Sequence, residues 1–262
     1  MSAEAELVSG VSEHRLDLVR ELLARDVRLR YRRSVLGLFW SQLNPLAQIV
    51  IFSLVFTRVV PLRIPNYPVF VFVGVMGWQW FESALIGATG SVVGGRDLVR
   101  QPGFPTRLLP PLAIATGVVE YALALPVLFV VMLLTTGRIP STVVALPVVM
   151  AVQFVTCLGP AYMLATLEVF LRDTSQVVRI VLRVLFFATP VIYNTGRLTG
   201  SFRLLYVLNP MAHLIGAQRD VLIFGRWPRP VPLIGIGLIG LACFVVLRRV
   251  FEATEGRFSE EI

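Results

Sequence analysis

Residues 112–134 run for twenty-three positions with one charged side chain, Glu120. Residues 43–56 and 69–81 carry none. About 20 mainly apolar residues are needed for a helix to cross the hydrocarbon layer of a bilayer. A chain built of such runs is constrained to an all-α, polytopic membrane fold. Its charged fraction is 15%, against about 25% in soluble domains. Six spans are expected, at 36–60, 69–93, 112–134, 143–171, 177–193 and 231–250. Pro45, Pro126, Pro147, Pro160 and Pro190 fall within them, and each removes a backbone donor, so kinks or short turns are expected there.

Two stretches do not read as spans. Residues 12–33 form an amphipathic pattern, with Leu16, Val19, Leu23 and Val27 at steps of three and four. Arg15, Arg20, Arg25, Arg28, Arg30, Arg32 and Arg33 point in other directions. A basic amphipathic helix ahead of a span is expected to lie along the membrane surface. Residues 1–34 are thus a tail and interface helix, and 35–262 are the membrane domain. Residues 194–229 are mixed, and Asn209-Pro210 divides their apolar parts. Two short re-entrant helices fit there better than a seventh span.

All 24 basic residues are Arg, and there is no Lys. A phosphate-binding loop of the G-x-x-x-x-G-K-[ST] kind needs its Lys, so nucleotide hydrolysis by this chain alone is not expected. A Lys Schiff base is excluded too. The net charge of +8 is placed around apolar spans, which points to lipid head groups and topology and not to nucleic acid. With the N-terminus inside, 16 Arg fall on the cytoplasmic side and 8 outside. That bias places both termini in the cytoplasm. Cys157 and Cys243 lie in apolar spans and are expected to be free, buried thiols.

Enzyme readings find little support. His14 and His213 stand apart, no H-E-x-x-H or G-x-S-x-G occurs, and the Asp residues are scattered. Metal and cofactor sites are not expected in this chain. Glu82, Glu120 and Glu168 lie in apolar surroundings, where a charge costs about 2.5–3.5 kcal/mol on insertion scales. Glu82 and Glu120 are expected to line a polar path or bond across helices, and Glu168, near Arg172, to sit at the inner interface; a proton-coupled carrier would use Glu82 or Glu120 directly. Phe39, Trp40, Trp78, Trp80, Phe81 and Tyr193 suit an interfacial belt or an aromatic-lined conduit for sugar rings. Between the second and third spans, residues 94–110 form a polar loop. It carries Arg96 just before a short helix expected at 97–101, which holds Asp97, Leu98, Val99 and Arg100 and is closed by Pro102-Gly103.

The run at 25–46 carries Arg25-Asp26, Arg30-Tyr31-Arg32, Ser34, Leu36-Gly37, Trp40 and Pro45 in that spacing. It resembles the opening signature of ABC type-2 permeases that export cell-surface polysaccharides. Phe104-Pro105, Phe170-Leu171-Arg172-Asp173-Thr174, Thr189-Pro190-Val191-Ile192-Tyr193 and Asn209-Pro210 follow in the family's order. The resemblance implies a homodimer of six-span subunits in the cytoplasmic membrane. It implies two copies of a separate ATPase that binds the ATP and Mg, and outward export of a polyprenyl-pyrophosphate-linked glycan such as O antigen, teichoic acid or wall galactan. It also implies that 94–110 holds a coupling helix, with Arg96, Asp97, Leu98, Val99 and Arg100 as expected contacts for the ATPase. Arg28, Arg30, Arg32 and Arg33 are the expected contacts for the lipid pyrophosphate. The alternatives are an ABC permease for a drug or lipid, a proton-coupled carrier, and a membrane transferase.

Overall fold

The computed structural model describes residues 20–24, 39–55, 64–194 and 206–262. The chain divides into two compact units, Met1–Trp40 and Ser41–Ile262. In the first, residues 20–24 are helical and Leu22 is buried; most of the expected interface helix lies outside the described residues.

Among the described residues all regular structure is helical. The main helices are α1 (Phe39–Leu54), α2 (Tyr67–Thr89), α3 (Leu109–Thr136), α4 (Leu146–Phe170), α5 (Thr174–Ala188), α6 (Pro210–Leu222) and α7 (Pro230–Thr254). Prolines start several of them. Pro68, Pro110, Pro147 and Pro230 stand in first turns, where the missing N–H has no intrahelical partner to lose. Gly137 ends α3 in the left-handed region, at φ 70°, and its N–H bonds to Leu133, as a helix stop requires.

Four stretches are long and apolar enough to cross a membrane: Tyr67–Thr89, Thr106–Thr136, Ser141–Phe170 and Pro230–Arg257. They correspond to the second, third, fourth and sixth expected spans. Helix α1 is described over sixteen residues. Helix α5 differs from the expected fifth span. It starts at Thr174 and ends at Ala188, fifteen residues, or about 22 Å. Thr189 adopts ψ 139°, because a residue preceding proline is pushed out of the helical region. Pro126 and Pro160, by contrast, sit inside continuous helices.

Helix α2 is the hub, packed by α3, α4, α5 and α6. It is apolar on all sides, and sixteen of its 23 residues are buried. Helices α4 and α7 form another large contact through small residues. A Cβ on Gly159 would lie 2.9 Å from the backbone carbon of Cys243, and one on Gly240 would lie 3.0 Å from Thr156 Cα. Backbone atoms cannot step aside there, and close approach of this kind is how membrane helices gain packing energy. Gly159→Leu is therefore expected to lower stability by about 1–3 kcal/mol, read as a lower melting temperature in detergent. Gly90→Ala, with nothing within 4 Å of the added carbon, is the control. Equal melting of both variants would refute the close-packing argument.

Candidate functional site

At one end of the bundle, a second apolar cluster gathers Val92, Leu109, Tyr162, Ala165, Val169, Phe251 and Phe258. Phe258 is fully buried, with its ring 5.0 Å from Phe251 and 6.1 Å from Phe170. The Tyr162 hydroxyl donates to the Arg107 carbonyl at 2.7 Å. Glu252 pairs with Arg248 at 2.8 Å and with Arg107 at 3.8 Å. Upon this base sits the helical turn Arg96–Val99, shorter than the expected helix and one residue earlier. Gly103, at φ 80°, closes the loop after it. Leu98 and Val99 pack against the second cluster, while Arg96, Asp97 and Arg100 are exposed. Any partner meeting this turn meets charges, with the two apolar residues committed inward.

The elbow between α4 and α5 lies near the same end. Glu168, 9% exposed, accepts a hydrogen bond from the Ser175 N–H at 2.7 Å. A carboxylate on the free N–H groups of a helix start offsets its dipole and satisfies an orphan donor. Glu168 thus holds the elbow. Glu82 and Glu120 are half-buried on α2 and α3.

Midway along the bundle, aromatic rings join α1, α2 and α5. Phe186 stacks on Phe52 at 6.2 Å and meets Trp78 edge-on at 5.8 Å and Phe187 at 5.2 Å. Phe81 lies 5.4 Å from Trp78. The Tyr193 hydroxyl donates to the Phe187 carbonyl at 3.2 Å. Of the expected conduit residues, Phe81, Tyr193 and Trp78 come together here. Phe81 and Tyr193 are half-buried, but Trp78 is 2% exposed and packs behind Phe81 and Phe186. Trp80 points to the other side of α2. Its indole N–H donates to the Ile114 carbonyl at 3.2 Å, and its ring packs on Tyr121. Within this chain Trp80 is core. The Phe39 and Trp40 side chains, and Arg28, Arg30, Arg32 and Arg33 altogether, lie outside the described residues.

A polar centre that the sequence reading did not single out lies among α2, α4 and α6. Arg219 falls in the 194–229 segment, among the 8 Arg expected outside, yet it is 5% exposed. Its guanidinium donates to the carbonyls of Pro190 at 2.7 Å and of Val191 and Phe70, and stacks 3.5 Å from the Phe70 ring centre. Beside it, Gln218 donates to Gln153 at 2.7 Å, and Gln153 donates to the Gly77 carbonyl at 2.9 Å. Asn209 caps α6 by accepting from Met211 N–H, and donates to Thr189 at 2.8 Å. Tyr67 donates to Ile192 at 2.8 Å. These bonds fix α6 against the broken end of α5. The available signal was Gln153, an amide in the middle of a span, since intramembrane polar groups need partners.

Among the described residues no group of three His, Cys, Asp or Glu is placed to hold a metal. Cys157 is buried as expected, whereas Cys243 lies on the exposed face of α7.

Comparison with known proteins fits a transport membrane subunit. The family model for ABC-2 type transporters matches residues 17–223. An O-antigen export system permease protein, RfbA, of Myxococcus xanthus is 33% identical over 94% of this chain and 95% of its own length. An RfbA of Klebsiella pneumoniae is 28% identical over 93% of this chain and 94% of its own. Another from Klebsiella pneumoniae is 27% identical over 80% and 81%. The family match takes in the interior of the bundle from α1 to α6, and the likeness to the permeases runs on through nearly the whole length; the chain belongs to the ABC-2 type transporter family.

Proposed function

We propose that the chain is the membrane subunit of an ABC exporter that moves a polyprenyl-pyrophosphate-linked polysaccharide out across the cytoplasmic membrane. The observation that carries this reading is the likeness to O-antigen export permeases over almost the full length of both partners. The subunit works as a homodimer with two copies of a cytoplasmic ATPase. Six spans, counting α1 and α5 with their flanking residues, bring both termini to the cytoplasm. The end that carries Arg96, Arg100, Arg107, Arg248, Arg249 and Arg257 is the cytoplasmic end, in keeping with the positive-inside rule. The N-terminal amphipathic helix rests on that face of the membrane, where Arg28, Arg30, Arg32 and Arg33 meet the lipid pyrophosphate. Phe81 and Tyr193 present apolar faces on which sugar rings stack.

Removal of the gene is expected to abolish surface polysaccharide, with lipid-linked polymer accumulating inside the cell. Purified alone, the chain is expected to show no ATPase activity above background, since no Lys is available for a nucleotide loop. Unchanged surface polysaccharide in the deletion strain, or robust hydrolysis by a verified single-subunit preparation, would defeat the reading.

A further inference from the structure

Helix α5 divides into three sectors at about 100° per residue. Thr174, Val178, Leu182 and Phe186 fall within one sector, packed on the rest of the bundle. Gln176, Arg179 and Arg183 fill the adjoining ~60°, and Arg172 stands in the turn just before. Ile180, Val184 and Phe187 are exposed on the third sector, which is wholly apolar. The basic side chains are therefore gathered into a stripe along the edge of the packed face, and are not spread around the helix.

Position makes the stripe unusual. Arg183 lies nine residues beyond Thr174, about 14 Å along the axis. It comes within electrostatic reach of Glu82, itself seven residues from the end of α2. Among the described residues no carboxylate is within ion-pair distance of Arg172, Arg179 or Arg183. Glu82 offsets at most one of three positive charges. Arginine at membrane depth faces a cavity or a partner, not lipid, and its planar fork of donors matches phosphate oxygens in pairs.

We infer that the α5 stripe of Arg172, Arg179 and Arg183 binds the phosphate groups of a lipid-linked molecule as it enters from the end of the bundle that holds the α4–α5 elbow. This deepens the exporter reading and rests on it. The stripe runs from that end toward the aromatic cluster around Phe186, so a bound diphosphate would leave its attached sugars beside the rings. Glu82 acts as the internal anion that the phosphate displaces, which weakens binding and allows release.

The test uses the full-length chain in nanodiscs of zwitterionic lipid, with radiolabelled farnesyl diphosphate as the probe and farnesol as the comparison lacking phosphate. Arg179→Gln with Arg183→Gln is expected to weaken probe binding about tenfold or more, the equivalent of one charged hydrogen bond. Arg138→Gln, remote from α5, is expected to leave it unchanged. Glu82→Gln is expected to strengthen binding, a sign that a merely structural role does not produce. Should the double Gln variant fail to fold, Arg179→Lys with Arg183→Lys and Glu82→Gln carry the test, the Lys pair binding less well than Arg. A double Gln variant that binds like the parent overturns the inference, as does a parent that prefers farnesol. Displacement of the probe by phosphatidylglycerol at equal concentration assigns the stripe to bulk anionic lipid and overturns the link to the exported molecule. If the deletion strain keeps its surface polysaccharide while the stripe still binds the probe, the exporter reading fails and the phosphate site stands.

Discussion

Arg219→Leu is expected to leave little folded protein. Among the described residues Arg219 alone donates side-chain hydrogen bonds to two carbonyls beside the α5 break, those of Pro190 and Val191, and it also bonds to Phe70; the substitution removes all of them. Each buried acceptor stripped of its partner costs about 1–3 kcal/mol. Two or three together amount to about 2–9 kcal/mol, a large share of a typical folding free energy of about 5–15 kcal/mol. Loss of the stacking on Phe70 adds to this. Arg219→Lys keeps a charge but lacks the planar fork that reaches several carbonyls at once, so an intermediate loss is expected. Arg226, which is exposed, supplies the control as Arg226→Leu. The measurement is the monodisperse fraction and melting temperature in detergent. A leucine variant that melts within about 2 °C of the parent would show that the clamp contributes little.

The same residue shows where reading the sequence stops. The four long spans were legible because apolar length alone decides them, but their ends lie one to four residues from the expected bounds, and Pro147, expected as a kink, stands in the first turn of α4. The end of α5 was legible in part, since Pro190 marks a break. What the break demands was not legible. It frees carbonyls that need a donor, and the donor comes from Arg219, 29 residues later, on a helix whose charge suggested an outer loop. Placement of the aromatic residues failed for a different reason. Helix α2 is apolar on every side, so periodicity could not say that Trp80 faces α3 while Phe81 faces the α5 side. In α5, by contrast, the face was there to be read: Arg179 and Arg183 are one turn apart, with Val178 and Leu182 beside them. Its meaning depended on knowing which side packs. The exposed loop at 94–110 was legible from its charges and its Pro-Gly stop, but its inner and outer faces were not separable in so short a turn.

That separation decides how docking of the ATPase is to be tested. Leu98 and Val99 pack toward Phe258 and Leu109 in the second cluster, so Leu98→Asp is expected to damage the fold of this end and not only a partner contact. Arg96, Asp97 and Arg100 are the residues a partner would touch. Arg96 and Asp97 are 3.9 Å apart and exposed, and such a pair adds little stability, so changing these side chains leaves the subunit intact. Arg96→Glu with Arg100→Glu turns two positive charges negative at the proposed docking face. Reversal of charge at an interface costs several kcal/mol when like charges are brought together, so export is expected to fall by about tenfold or more, with the melting temperature of the isolated chain unchanged. Co-purification of the ATPase should fall in parallel. A single cysteine at position 97 should cross-link to the ATPase and react with reagents only from the cytoplasmic side. If the charge-reversed chain retains its ATPase and its export, the turn is a solvated loop and docking lies elsewhere. If the cysteine at position 97 reacts only from outside the cell, the cytoplasmic end has been assigned to the wrong end of the bundle, and the site for the partner with it.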